Sequence, residues 1–169
     1  MTTELSRPIV LSKIRANGLT VVVQATPEEC AALAGRMELP AIQSLECRFV
    51  LSRDADGVSV LAEGHLLAEV TQTCVTSAED FAAKVEEAFA VRFVPAGTER
   101  DDPDPDLPDE IPYEANTIDL GEATAEQLGL ALDPWPRIEG ATVPVIEDED
   151  SSSPFGILAD RAGPKRARD

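Results

Sequence analysis

The chain has few aromatic residues, few metal-binding side chains and little positive charge. Aromatic residues make up 4% of its 169 residues, so a core must be built mainly from Ala, Val, Leu and Ile. One histidine, His65, and three widely spaced cysteines, Cys30, Cys47 and Cys74, do not form a paired metal-ligand spacing. We therefore expect no metal site and no cofactor, and we expect free thiols in a reducing cytoplasm.

The charge balance narrows the choice of partners. The chain has 14 Lys and Arg against 32 Asp and Glu, a formal charge of −18. Broad binding to DNA or bare RNA is disfavoured, because phosphate contacts need clustered basic residues. The N-terminal residues lack the pattern of a secretory signal, and no apolar run is long enough to span a membrane.

Two local signals occur near the N-terminus. Leu19–Gln24 is a β-branched run that follows a turn at Asn17-Gly18, which predicts a strand. Thr26 can cap a helix with Pro27 at its first position. This helix should end before Pro40, since proline cannot continue it.

Three long segments then alternate between apolar and polar residues. They predict an antiparallel meander over 42–52, 58–74 and 81–94, with Val58 at the start of the apolar face of the second strand. In the third strand, Glu87 is the exception on the apolar face. The sequence thus predicts an α+β fold with two main helices, whose twisted meander closes partly into a barrel or packs on the helices.

Acidic segments interrupt this pattern. Residues 95–116 contain eight acidic residues, one arginine and five prolines, which predicts an exposed, mobile insertion. This insertion is either a plain solvated loop or a docking segment for a basic partner. For docking, the candidate residues in it and in a later acidic run are Asp101, Asp102, Asp104, Asp106, Asp109, Glu110, Glu147, Asp148, Glu149 and Asp150.

A second helix is predicted over 120–132. Asp119 can cap it, and Glu122 stands at the position of a capping box. The helix ends at a proline-rich stretch containing Trp135, the only tryptophan, which is either an anchor packed on the sheet or a contact for a partner.

These signals divide the chain into one domain and a tail. The domain covers 1–140, and an acidic linker with a loosely ordered C-terminal tail covers 141–169. The tail supplies the candidate residues for RNA contact, which are Arg161, Lys165, Arg166 and Arg168.

Signs of catalysis are weak. His65, the only imidazole, lies at a polar position of a predicted strand, where a surface histidine is the simplest interpretation. Most carboxylates lie in acidic segments that cannot fix the geometry of an acid–base pair. We therefore predict no catalytic residue. A metal-dependent enzyme acting on precursor RNA is the alternative, with ordered candidates Glu63, Glu69, Asp80, Glu86, Glu87, Asp119 and Glu122.

The order of these pieces resembles the YceD family, described as large ribosomal RNA subunit accumulation proteins. The resemblance covers roughly residues 5–160. It rests on the helix opening Ala25–Cys30, the strand and corner Glu63–Thr76, the strand Phe81–Pro95, the helix start Ile118–Glu122, the helix end Leu130–Arg137 and the apolar stretch Pro154–Leu158.

The chain also departs from that family. Many members carry a C-x-R-C pair at the corner where this chain has Gln72-Thr73-Cys74-Val75. Many carry a cysteine cluster after the helix, where residues 134–140 contain none. A metal-binding role is therefore not carried over, and we expect Cys74 to be a small core residue.

The resemblance implies a part in accumulating large-subunit ribosomal RNA and implies no known enzymatic activity. The charge adds a more specific expectation. An acidic chain attracts cations over long range, so we expect the partner to be a basic large-subunit ribosomal protein or an assembly intermediate. Direct RNA contact through the four basic tail residues is the other route, and four charges give modest affinity.

Overall fold

The computed structural model describes residues 3–100 and 107–142, and its main element is a five-stranded sheet. The described helices are α1 (Pro27–Arg36) and α2 (Leu120–Ala131), and a 3-10 turn covers Leu11–Lys13. In chain order the strands are β1 (Pro8–Val10), β2 (Leu19–Gln24), β3 (Ala41–Arg53), β4 (Val60–Thr73), β5 (Asp80–Pro95), β6 (Asp109–Tyr113) and β7 (Thr117–Asp119).

The sheet is open, with strand order β2-β3-β4-β5-β6. Neighbours from β2 to β5 are antiparallel, and β6 lies parallel to β5. β1 and β7 form a separate antiparallel pair. The α+β fold is confirmed, whereas the partly closed barrel is wrong, because β2 and β6 stand at opposite ends of the order. The sheet covers its apolar face with helices instead of curling onto itself.

Both helices begin at the predicted caps. The Glu29 amide donates to the Thr26 hydroxyl at 3.3 Å, and the Thr26 amide donates to the Glu29 carboxylate at 2.8 Å, which completes a capping box. The Asp119 carboxylate accepts the amides of the second and third residues of α2. The predicted capping box of α2 does not form, because the Glu122 carboxylate pairs with Arg36 at 2.8 Å.

The predicted meander is confirmed, and its apolar face forms the core with both helices. The buried side chains alternate along β3 and β4, and they pack against residues such as Leu33 and Leu128 from the helices. The prediction for Val58 is wrong, since its side chain is 48% exposed. Val58 belongs to the turn, where the Asp56 carboxylate accepts its amide at 2.9 Å, and β4 begins only at Val60.

A glycine in β4 makes room for an aromatic contact between the two neighbouring strands. Phe49, Gly64 and Phe89 are aligned across β3, β4 and β5. A Cβ atom on Gly64 would overlap the ring of Phe89. The missing side chain therefore makes room for an edge-to-face contact between Phe49 and Phe89, with ring centroids 5.7 Å apart.

Part of the predicted mobile insertion is a strand. β6 hydrogen-bonds along β5, and the Tyr113 hydroxyl donates to the Val58 carbonyl at 2.8 Å. The Glu110 carboxylate is 2.9 Å from Arg100 and 3.6 Å from Arg92, so its charge is balanced locally. The prediction of a mobile insertion is therefore wrong for residues 107–116, while residues 101–106 lie outside the described part. Pro112 is tolerated because β6 lies at the sheet edge.

Neither helix in the described part of the chain is long and apolar enough to cross a membrane. The predicted tail, 141–169, falls almost entirely outside the described residues.

Candidate functional site

Most of the predicted partner-binding carboxylates lie outside the described residues. This holds for Asp101, Asp102, Asp104, Asp106 and the acidic run Glu147–Asp150, and also for the candidate RNA contacts Arg161, Lys165, Arg166 and Arg168. Two of the predicted carboxylates are described. Asp109 is exposed at the start of β6, whereas the Glu110 side chain is 9% exposed and bonded to two arginines.

The described residues are strongly acidic by themselves. They contain 22 acidic and 10 basic residues, a formal charge of −12. Five of the basic residues are in ion pairs with carboxylates, and these are Arg7, Arg36, Lys84, Arg92 and Arg100. A sixth, Arg53, donates to the main-chain carbonyls of Ile14, Gly57 and Leu11. Most of the basic side chains are thus bonded within the fold, and the described residues have an excess of carboxylates.

Trp135 lies in the turn after α2 and is 71% exposed. The interpretation as an anchor packed on the sheet is therefore wrong. Its amide donates to the Asp133 carboxylate at 2.9 Å, which fixes the turn. Leu130, in the last turn of α2, is similarly exposed, so this end of α2 presents apolar side chains beside a carboxylate.

The corner between β4 and β5 holds the segment that follows α2. The Val75 amide donates to the Pro136 carbonyl at 2.9 Å, and the Gln72 side chain donates to the Asp133 carbonyl at 3.2 Å. Both contacts join the corner to the chain on either side of Trp135. The position of this tryptophan is therefore determined by the corner as well as by α2.

Cys74 lies at this corner, buried but outside the main core cluster. Its Sγ accepts the amides of Ser77 at 3.5 Å and Ile138 at 3.4 Å. Hydrogen bonds from the Ser77 side chain and from these amides lower the pKa of the Cys74 thiol from 9.0 to about 6. Cys74 is buried, as expected of a small core residue, but these hydrogen bonds to its sulfur were not predicted. Cys47 is buried in the main core cluster, and burial raises its pKa to about 12.

Four of the seven carboxylates considered for an enzyme have other partners. Glu69 pairs with Lys84, and Glu86 Oε1 lies 3.0 Å from His65 Nε2 on the exposed face of the sheet. Asp119 and Glu122 serve the start of α2 and its contact with α1. Among residues 3–100 and 107–142, no three His, Cys, Asp or Glu side chains are grouped so that they could hold a metal ion. His65 lies at the surface, as predicted.

The first half of β5 is a surface that the sequence reasoning missed. Val91 and Phe93 are buried beside β6, but Phe81, Val85 and Phe89 on the same face are only half-buried. Glu87 lies on that face and is exposed. A charged residue at an apolar position was the available signal that this part of the face is uncovered.

The comparisons with known proteins place the chain in a family. The family described as large ribosomal RNA subunit accumulation protein YceD matches residues 62–159, more than half of the chain. The chain belongs to the YceD family. The matched range begins in β4 and includes the corner at Cys74, β5, β6 and α2, whereas β2, α1 and β3 precede it. No curated protein and no solved structure matches the chain.

The family resemblance predicted from the sequence is thereby confirmed. The description of the YceD family connects the chain with the accumulation of large-subunit ribosomal RNA.

Proposed function

We propose that this YceD-family protein supports the accumulation of large-subunit ribosomal RNA by binding a basic assembly partner, rather than by catalysis. The observation that carries the proposal is the charge of −12 on the described residues, in which most cations are already bonded within the fold. Such a surface attracts a basic protein and repels the phosphates of free RNA.

Large-subunit ribosomal proteins are candidates because strongly basic chains need a counter-charge before they meet RNA. Long-range attraction would speed their encounter with this protein, and the complex would weaken as salt screens the charges. RNA levels would then depend on the protein indirectly, through the supply of a partner that is competent for assembly.

Exposed Trp135 supports the binding of a protein. Tryptophan is enriched among the residues that dominate protein–protein binding energies. Its place beside Asp133 fits an apolar contact flanked by an ionic one. The acidic residues Asp101, Asp102, Asp104, Asp106, Asp109 and Glu147–Asp150 remain proposed contacts for the basic partner.

We assign the function to the cytoplasm. Cys30, Cys47 and Cys74 are free and buried in the structure, which fits a reducing compartment.

The test is a pull-down from growing cells with the tagged full chain, divided into RNase-treated and untreated halves at low and moderate salt. We expect one basic large-subunit protein to persist after RNase treatment and to leave as salt rises. A chain lacking residues 161–169 is the matched control and should retain the same protein. Loss of every partner after RNase treatment, or binding that does not weaken as the salt concentration rises, would contradict the proposal.

A further inference from the structure

β5 has one unpaired edge along its first half. β6 pairs with β5 only from Val91 to Pro95. On the other side, β4 pairs with β5 along its whole length up to Phe93. No strand in the described part of the chain therefore lies beside the outer edge of Asp80–Ala90.

Even-numbered residues of β5 direct their main-chain groups to this edge. In an antiparallel pair, residues bonded to the neighbour alternate with residues that face away from it. The Cys74 amide donates to the Glu79 carbonyl at 2.8 Å, so odd-numbered residues face β4. The Ala96 amide donates to the Tyr113 carbonyl at 3.0 Å, so even-numbered residues face the side of β6.

The register between β4 and β5 has no interruption, so this alternation holds along the strand. The N–H and C=O groups that point outwards without a strand partner in the described chain belong to Ala82, Lys84, Glu86 and Ala88. A row of this kind is a template for pairing with another chain.

The side chains near the edge leave space for a second strand. Beneath it lies a groove of about 300 Å³, lined by Phe81, Ala83 and Val85 from β5, by Ala131 at the end of α2, and by Pro136 and Arg137 in the segment that follows α2. Above it, Ala82 and Ala88 are small enough for a close approach. The groove can accept apolar side chains that point to one face of an added strand.

The charge around the edge selects the incoming chain. Glu79, Asp80, Glu86 and Glu87 are exposed along it. Two cations lie near it: Lys84, whose Nζ lies 3.4 Å from a Glu69 carboxylate oxygen, and Arg137, which lines the groove. A second copy of this chain would bring the same acidic residues together, which is repulsive, whereas a basic segment would complement them.

We propose that the Asp80–Ala90 edge of β5 accepts an extended segment of the basic partner as an added strand. Main-chain hydrogen bonds to Ala82, Lys84, Glu86 and Ala88 supply the pairing, and the partner's Lys or Arg side chains meet the surrounding carboxylates. This inference rests on the proposed function, because the segment belongs to the basic partner named there.

The decisive variant is Ala88→Pro. Proline removes the outward N–H of Ala88 while the bonds between β5 and β4 remain, and edge strands tolerate proline at such positions. The matched control is Val22→Pro on the opposite edge of the sheet. The Ala25 amide donates to the Leu45 carbonyl at 3.0 Å, so even-numbered Val22 also directs its N–H away from the sheet.

The probe is a mixture of large-subunit ribosomal proteins freed of RNA, offered to the immobilised full chain, with retained proteins identified by mass spectrometry. We expect the wild-type chain and Val22→Pro to retain the same basic protein and Ala88→Pro to retain roughly tenfold less. Binding should also slow amide exchange at Ala82, Lys84, Glu86 and Ala88 and leave exchange at Thr20 and Val22, on the opposite edge, unchanged. If Ala88→Pro does not fold, the exchange measurement decides alone.

Other results separate this inference from the proposed function. Equal retention by Ala88→Pro, with no added protection of the Ala82, Lys84, Glu86 and Ala88 amides, would overturn the proposed docking edge and leave the proposed function intact. Retention of nothing by the wild-type chain would overturn both. A dimer of the wild-type chain that Ala88→Pro abolishes, or slow exchange of the Ala82, Lys84, Glu86 and Ala88 amides in the free monomer, would show that this chain itself occupies the edge, and the inference would be wrong.

Discussion

The two halves of the β4–β5 hairpin share one alternation of apolar and polar residues but have different surroundings. Near β6, Val91 and Phe93 are buried in the core. Towards the corner at Cys74, Phe81 and Val85 occupy equivalent positions and stay half-buried beside an open edge. An alternating pattern therefore determines which face is apolar, while the surrounding elements determine whether that face becomes core or a binding surface.

Replacing one phenylalanine by alanine in each half should give the largest difference in the free energy of unfolding. Phe93→Ala empties a site that is 1% exposed, so we expect it to lower the free energy of unfolding by about 3–5 kcal/mol. Phe81→Ala removes a half-buried ring from the open half and should cost about 1 kcal/mol. Urea denaturation of both variants measures these losses. Equal losses would mean that the open half is covered in solution.

The Phe89 ring packs over Gly64 at the boundary between the two halves of the β4–β5 hairpin. Gly64→Ala places a methyl group against the Phe89 ring, so we expect a loss of about 1–3 kcal/mol in unfolding free energy. Adding Phe89→Ala should make the Gly64→Ala substitution nearly neutral, because the clash disappears.

The matched control is Gly35→Ala in α1, where an added Cβ has no atom within 4 Å. This variant should be neutral or slightly more stable, by up to about 1 kcal/mol. A loss from Gly35→Ala as large as that from Gly64→Ala would contradict the explanation by steric contact.

Glu29, at the start of α1, forms an ion pair with Arg7, so its contribution to the free energy of unfolding should depend on pH. A hydrogen bond from Arg7, together with the bond from the Thr26 amide, lowers the pKa of Glu29 from 4.5 to about 2. This contribution to stability is present above pH 4.5 and disappears as the pH falls towards 2. Glu29→Gln should therefore cost about 1 kcal/mol at neutral pH and almost nothing near pH 2.

Glu87→Gln in the open half is the control for this effect. No cation partner holds Glu87 within the described residues, so its substitution should leave the unfolding free energy unchanged at both pH values. Thermal melting across pH would detect a difference, and a constant gap between Glu29→Gln and the wild type would rule out the role of the ion pair.

The smallest effect concerns the corner at the far end of the hairpin. The Cys74 thiol, with its pKa lowered to about 6, should give ultraviolet thiolate absorbance that rises near that pH. Its folded pKa lies below the unfolded value of 9.0, so its contribution to stability grows between pH 6 and 9 and is lost below 6. Cys74→Ala should remove this absorbance, whereas Cys47→Ala should leave it. Persistence of the signal in Cys74→Ala would assign it to another thiol.

Local patterns predicted much of the fold. The caps at Thr26 and Asp119 and the three strands of the meander follow from residues close in sequence. The open sheet and β6 could not be predicted in that way, because they depend on contacts between distant segments. Glu110 illustrates this, since its charge argued for a solvated loop until the positions of Arg92 and Arg100 were known.

The candidate site was less predictable than the fold. Charge and the family resemblance indicated a basic partner, and Trp135 was singled out because it is the only tryptophan. The free edge of β5 has no residue signature of its own, because it arises where β6 stops pairing. Glu87 was the only local sign of it.

The most direct test is site-resolved amide exchange along β5 in the free, full-length chain. We expect fast exchange at Ala82, Lys84, Glu86 and Ala88, whose N–H groups face the open edge. We expect slow exchange at Val94, which faces β6. Uniformly slow exchange along the whole strand would rule out an open edge, since it would show that the first half of β5 is paired like the second.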